Sequence, residues 1–99
     1  MKSPLLNLTM QDGTRHFAEL PETCGWEQFR QHIALLPVAT VTGFLTDHVT
    51  EMWLDFSFQG HAFSVNNQHG NFWFFVRDPA CPDEVLTTIV EHCEPLLFE

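Results

Sequence analysis

The stretch Met52–Trp53–Leu54–Asp55–Phe56–Ser57–Phe58–Gln59–Gly60–His61–Ala62–Phe63–Ser64–Val65 decides the fold. Apolar and polar residues alternate with period two on both sides of Gln59–Gly60, the pattern of two half-buried strands joined by a tight two-residue turn. With that turn, Phe58 opposes His61, Phe56 opposes Phe63 and Leu54 opposes Val65. One face of the hairpin therefore collects apolar pairs. Trp53, Asp55, Ser57, Ala62 and Ser64 point the other way.

Downstream, Asn66–Asn67–Gln68–His69–Gly70–Asn71 is expected to form a polar loop, because Asn and Gly tolerate the positive φ that turns require. Phe72–Trp73–Phe74–Phe75–Val76 returns as a strand. With Asn67 to Gly70 as the loop proper, Phe72 and Phe74 join the Phe56/Phe63 face while Trp73 and Phe75 join Trp53. After Asp78–Pro79–Ala80–Cys81, a helix starts with Pro82 at its first position. Asp83 and Glu84 complement the helix dipole there. Cys81 occupies the N-cap place with a structural role, Leu86, Ile89, Val90 and Cys93 form the apolar stripe, and Pro95 is expected to end the helix.

Upstream, Leu6, Leu8 and Met10 alternate up to Asp12–Gly13, a turn dipeptide, and His16 to Leu20 can return as a strand. Thr23 is positioned to cap a helix whose apolar face is Trp26, Phe29, Ile33 and Leu36, at steps of three and four. Pro37 stops it. Val38 to Leu45 is β-branched, with Gly43 at a bulge, and Thr46–Asp47–His48 turns into the central hairpin. The expected fold is one α+β domain over residues 1–99. It is a two-layer sandwich of a mostly antiparallel four- or five-stranded sheet with two helices on one face, in the order ββαβββα.

Composition bounds the function. Ninety-nine residues with 44% apolar and 17% charged side chains suffice for one core. Ten Phe and three Trp without a Tyr supply aromatic surface almost without hydroxyls, which belongs in a core or an interface. Thirteen acidic against four basic side chains (Lys2, Arg15, Arg30, Arg77) give a net charge of −9. Such a surface repels phosphate, which argues against nucleic acid and anionic membrane as partners and leaves a basic protein or a cation as a fitting one. No apolar run is long enough for a signal peptide or a membrane span, and three cysteines at long spacings suit reduced thiols. The expected location is the cytoplasm.

Two helices cover one side of a sheet, so the Trp53, Trp73 and Phe75 side is left over. Asp55 shares it, and Arg77 is the cation nearest the aromatic strand. Either the chain's own termini or loops cover this face, or a second copy or partner does, or it lines a ligand groove. The expected use is an interface, making the chain an interaction module that self-associates as a homodimer or docks a partner, an inhibitor of a basic protein being one version. The competing reading is an enzyme or ligand-binding protein with a pocket between sheet and helices, carried by Cys24, His61, His69, Asp55 or Arg77. Cys24 precedes a helix N-terminus, where the dipole would lower a thiol pKa, making it the candidate reactive thiol. Six histidines (His16, His32, His48, His61, His69, His92), with Asp47, Asp55 and Cys93 beside them, lack metal-ligand spacing, and neither a metal nor another cofactor is expected. No phosphate loop or catalytic triad pattern is present.

Overall fold

A computed structural model describes residues 4–47 and 51–98. Lys2, the first residues and His48 of the expected Thr46–Asp47–His48 turn lie outside them. The elements run β1 (Leu8–Thr9), β2 (Arg15–Pro21), α1 (Trp26–Ala34), β3 (Thr40–Thr46), β4 (Met52–Phe58), β5 (His61–Gln68), β6 (Asn71–Val76) and α2 (Asp83–Leu97). They form an α+β fold with one six-stranded sheet, ordered β1-β2-β6-β5-β4-β3, in which every neighbouring pair is antiparallel. Four strands follow α1 where three were expected, and six build the sheet in place of four or five.

The central hairpin has the expected register, Leu54 opposite Val65, Phe56 opposite Phe63 and Phe58 opposite His61. Gln59 at φ 51° and Gly60 at φ 81° both occupy the left-handed region, the turn geometry that matches strand twist. The expected polar loop contracts to a second turn of the same kind, His69–Gly70, at φ 52° and 79°. Asn66, Asn67 and Gln68 belong to β5, opposite Trp73, Phe72 and Asn71. The turn takes two residues fewer than the expected loop, which extends β5 by two and shifts its pairing with β6 by an even number, so every ring stays on its expected face.

Alternating burial shows the two sides of the sheet. Met52, Leu54, Phe56, Phe58, Phe63, Val65, Phe72, Phe74 and Val76 are buried beneath the helices. α1 seats through Phe29, whose ring stacks on Phe72 at 4.2 Å and meets Phe74 edge-on at 5.9 Å. α2 contributes Leu86, Ile89, Val90 and Cys93 and lies against β2. Arg15, almost fully buried, ties these parts together: its Nε and Nη2 donate to the Leu6 carbonyl at 2.9 and 2.7 Å, and its Nη1 reaches Asp83 at 3.1 Å.

Three helix boundaries differ from the sequence expectation. Thr23 does not cap α1, whose N-cap is Gly25; its hydroxyl donates instead to the Leu97 carbonyl at 2.8 Å, fastening the entry of α1 to the end of α2. Pro82, not Cys81, is the N-cap of α2. Pro95 lies inside α2, exposed, and the helix continues because Leu97 beyond it is buried in the core. The proline deletes one amide donor, while Phe98 N–H still closes on the Glu94 carbonyl at 2.9 Å.

The turn from α1 to β3 holds Val38 at φ 59°, with 82% of its surface exposed. A β-branched residue in the left-handed region is strained, and here no burial compensates it. Val38→Gly is expected to stabilise the chain by about 1 kcal/mol, even after the unfolded-state entropy of glycine is counted. That corresponds to a rise of roughly 4 °C in Tm by calorimetry. An unchanged or lower Tm would show that the turn carries no such strain.

Candidate functional site

The sheet face away from the helices carries the expected interface residues, but it is not uniformly bare. Cross-strand pairing arranges them in rows. One row runs Leu45, Trp53, Asn66, Trp73, Glu19, and the next runs Gly43, Asp55, Ser64, Phe75, His16. Neighbours in a row stand about 4.8 Å apart.

At the β2 end of these rows the rings are covered from within. β2 shifts register between His16 and Ala18, so Phe17 and Ala18 both turn inward and His16 turns outward. The imidazole of His16 stacks on Trp73 at 4.7 Å and on Phe75 at 4.9 Å, and its Nε2 donates to the Ala18 carbonyl at 3.1 Å. His16 is only 1% exposed, and Trp73 and Phe75 are half-buried. Burial lowers the His16 pKa, while the Glu19 carboxylate 3.7 Å away and the Ala18 carbonyl oppose that shift. The Trp73 indole N–H is buried without a hydrogen-bond partner.

The β3–β4 end is open. Leu45 is 71% and Trp53 46% exposed, directly opposite one another. β3 is an edge strand of sequence Thr40–Val41–Thr42–Gly43–Phe44–Leu45–Thr46, with no charged residue and no proline to blunt it. Asp55 accepts a bond from the Ser64 hydroxyl at 2.8 Å. Arg77 is exposed, lines a shallow groove with Asp55, Asp12 and Phe75, and has no carboxylate within 4 Å among the described residues.

Of the residues of the catalytic reading, Asp55 and Arg77 share the shallow groove, while Cys24, His61 and His69 lie apart from it. Cys24 precedes the N-cap of α1 and is partly buried; burial and the nearby Glu22 raise its pKa, opposite to the activation expected of a helix N-terminus. Burial likewise raises Cys81 and, far more strongly, Cys93, and all three thiols are unpaired. His61 sits at the Phe58 end of the central hairpin, and His69 lies in the turn at the opposite end of β5, 6.3 Å from the Trp73 ring. Among the described residues no three His, Cys, Asp or Glu side chains converge as metal ligands, and no helix is long and apolar enough to cross a membrane.

Sequence reasoning singled out Trp53, His69 and the polar stretch Asn66–Asn71 separately but did not bring them to one place. At the end of the sheet where β2 leaves, β4 begins and β5 turns into β6, a concavity of about 680 Å³ is lined by Glu22, Trp26, Glu51, Trp53, Gln68 and His69, among others. The Oε2 atom of Glu22 accepts the Trp26 indole N–H at 2.5 Å and, at 3.5 Å, the Asn67 amide. Asn67 in turn accepts from the Met52 backbone N–H at 2.9 Å. The spacing of Glu22 and Trp26, four residues apart, was a further local signal of this cluster. Everything else in it is assembled by strand order.

Comparison of the chain with protein-family models, with curated proteins and with solved structures finds no match.

Proposed function

We propose that this chain is a non-enzymatic interaction module that self-associates through the β3 side of its aromatic sheet face. The observation that carries the reading is the exposed Leu45–Trp53 pair beside an uncharged edge strand. An unpaired edge offers a row of backbone donors and acceptors whose natural complement is another edge, and a two-fold axis lets β3 meet its own copy antiparallel. The flanking Leu45 and Trp53 side chains then lose water against the second protomer, supplying the apolar centre that an interface needs. Trp73 and Phe75 lie two strands further along the same face, stacked against His16. They are not its centre.

The charge of −9 opposes close approach of two copies, so association should strengthen with salt as the repulsion is screened. The same charge favours a second reading, a basic protein as the docked partner. Sedimentation equilibrium across a wide concentration range separates the two. A monomer–dimer equilibrium is expected, tightened by salt and weakened at least about tenfold by Leu45→Glu or Trp53→Glu, since each inserts a charge into the apolar centre. Both positions are exposed, so the variants should keep the parent Tm. A monomer at every concentration, or a dimer indifferent to both substitutions, overturns the self-association reading.

A further inference from the structure

The concavity at the end of the sheet has a chemistry the interface reading does not use. Its lining combines two carboxylates, Glu22 and Glu51, with two indoles, Trp26 and Trp53, and the amide of Gln68. Among the described residues, no Lys or Arg lines it. The chain's arginines are engaged or remote: Arg15 is bound to Leu6 and Asp83, Arg30 to Glu27 while lying over the Phe44 ring, and Arg77 lines the groove on the other side of Asp55. Neither Glu22 nor Glu51 forms an ion pair with a described residue. Glu22 is moreover held in place, because its Oε2 is fixed by the Trp26 indole and the Asn67 amide, which leaves Oε1 as an oriented acceptor. A preoriented carboxylate beside aromatic walls, in a cavity of a few hundred Å³, is suited to a planar organic cation.

We propose that this concavity binds a guanidinium group, the side chain of an arginine on a basic peptide or protein segment. The guanidinium is planar, carries donors in a fork that fits a carboxylate, is weakly hydrated and stacks on indoles, whereas an ammonium is a compact and strongly hydrated point charge. Glu22 Oε1 takes the directed hydrogen bond, Glu51 adds the second negative charge at the rim, and the Trp26 and Trp53 rings take the face of the cation. The arginine's alkyl stem fits along the apolar part of the same walls. This site shares Trp53 with the proposed interface but requires no pairing at β3, and its test reads a different signal.

Three tryptophans give three indole N–H resonances in a ¹H–¹⁵N spectrum, one for each of Trp26, Trp53 and Trp73. The probe is N-acetyl-arginine amide, titrated at a protein concentration where sedimentation shows one species, with the neutral isostere N-acetyl-citrulline amide and with N-acetyl-lysine amide as comparisons. The Trp26 and Trp53 signals are expected to move saturably with the arginine probe while Trp73, under its His16 lid, stays still. Citrulline should bind at least about fivefold more weakly, and Glu22→Gln and Glu51→Gln should each weaken arginine about fivefold. Glutamine at position 22 keeps an acceptor for the Trp26 indole, so the fold is retained and an unchanged Tm certifies it. Equal binding of citrulline, equal movement of all three indoles, or indifference to both substitutions overturns the proposal. Lysine binding as tightly as arginine overturns the choice of guanidinium. Failure of the dimer in sedimentation leaves these outcomes untouched.

Discussion

Phe29→Ala is expected to cost about 4 kcal/mol and to lower the urea midpoint by about 2 to 3 M. The reason is the position of this one ring. Phe29 is fully buried, stacked on Phe72 at 4.2 Å and edge-on to Phe74, so it is the main apolar link between α1 and the middle of the sheet. α1 is nine residues long and has no side-chain cap at its N-terminus, so its own backbone cannot hold it in place without the sheet. Truncation removes the transfer free energy of the ring, the aromatic pair terms and the packing around the void. Domains of this size are stable by roughly 5 to 15 kcal/mol, so a large fraction of the total is at stake. The loss should also reach the concavity, since Trp26 begins the same helix. Phe29→Leu, which refills most of the volume, should recover more than half of the stability. A cost below about 1.5 kcal/mol for the alanine variant would show that α1 is seated by other contacts.

The parts of this fold that were legible in the sequence are those governed by a local period. Alternation around Gln59–Gly60 set the β4–β5 register and sorted Trp53, Trp73 and Phe75 from Phe56, Phe72 and Phe74, because one face of that sheet is dry and the other is not. Steps of three and four found both helices. What failed was composition used as a substitute for geometry. Asn66–Asn67–Gln68 has the residues of a loop, yet they continue β5: the outer face tolerates polar side chains, and the Asn67 amide satisfies the Met52 N–H and reaches Glu22. Pro95 has the local preference of a helix stop, yet the burial of Leu97 overrides it.

The site was less legible than the fold for a related reason. His16 covers Trp73 and Phe75 only because β2 contains a bulge, and no period in the sequence announces where a strand changes parity. The concavity draws on Glu22 just after β2, on α1, β4, β5 and the His69–Gly70 turn, and its members become neighbours only through the order β2-β6-β5-β4. Leu45 read as a strand residue of unknown neighbours until β3 proved to be the edge. The leftover face was thus predictable in kind, while its open end was not.

Acidification should loosen this chain through two histidines before its carboxylates titrate. His16 is buried against Trp73 and Phe75, and His92 on α2 stacks on His32 of α1 at 4.1 Å. In the second pair, His32 Nε2 lies 2.7 Å from the His92 carbonyl, and His92 Nε2 lies 2.6 Å from the His32 carbonyl. A carbonyl oxygen only accepts, so each ring must carry a proton on Nε2 and donate to the other residue's backbone. This reciprocal clasp joins the two helices and places two imidazoles face to face. Burial lowers the His92 pKa first of all; the bond to the His32 carbonyl opposes that, and the His32 ring pushes it down further. His16 is lowered by burial too.

Folded pKa values below the unfolded value near 6.5 mean that the unfolded chain binds more protons. The stability contributed by neutral His16 and His92 is therefore complete above about pH 6.5 and is lost as pH falls from there toward the lowered folded values, by at most about 1.4 kcal/mol per pH unit for each group. Relief of the −9 charge works the other way, because protonation weakens the self-repulsion of the folded state. Substitution separates the two. Urea midpoints measured from pH 7.5 to 5 should fall in the parent chain, and His92→Gln, which keeps a side-chain donor for the His32 carbonyl but cannot titrate, should flatten that fall. His16→Gln should flatten it as well, at the cost of stability at every pH, since an amide replaces a ring stacked between Trp73 and Phe75. If both variants keep the full pH slope of the parent, the histidines are not what senses the acid, and the helix clasp is a neutral contact over this range.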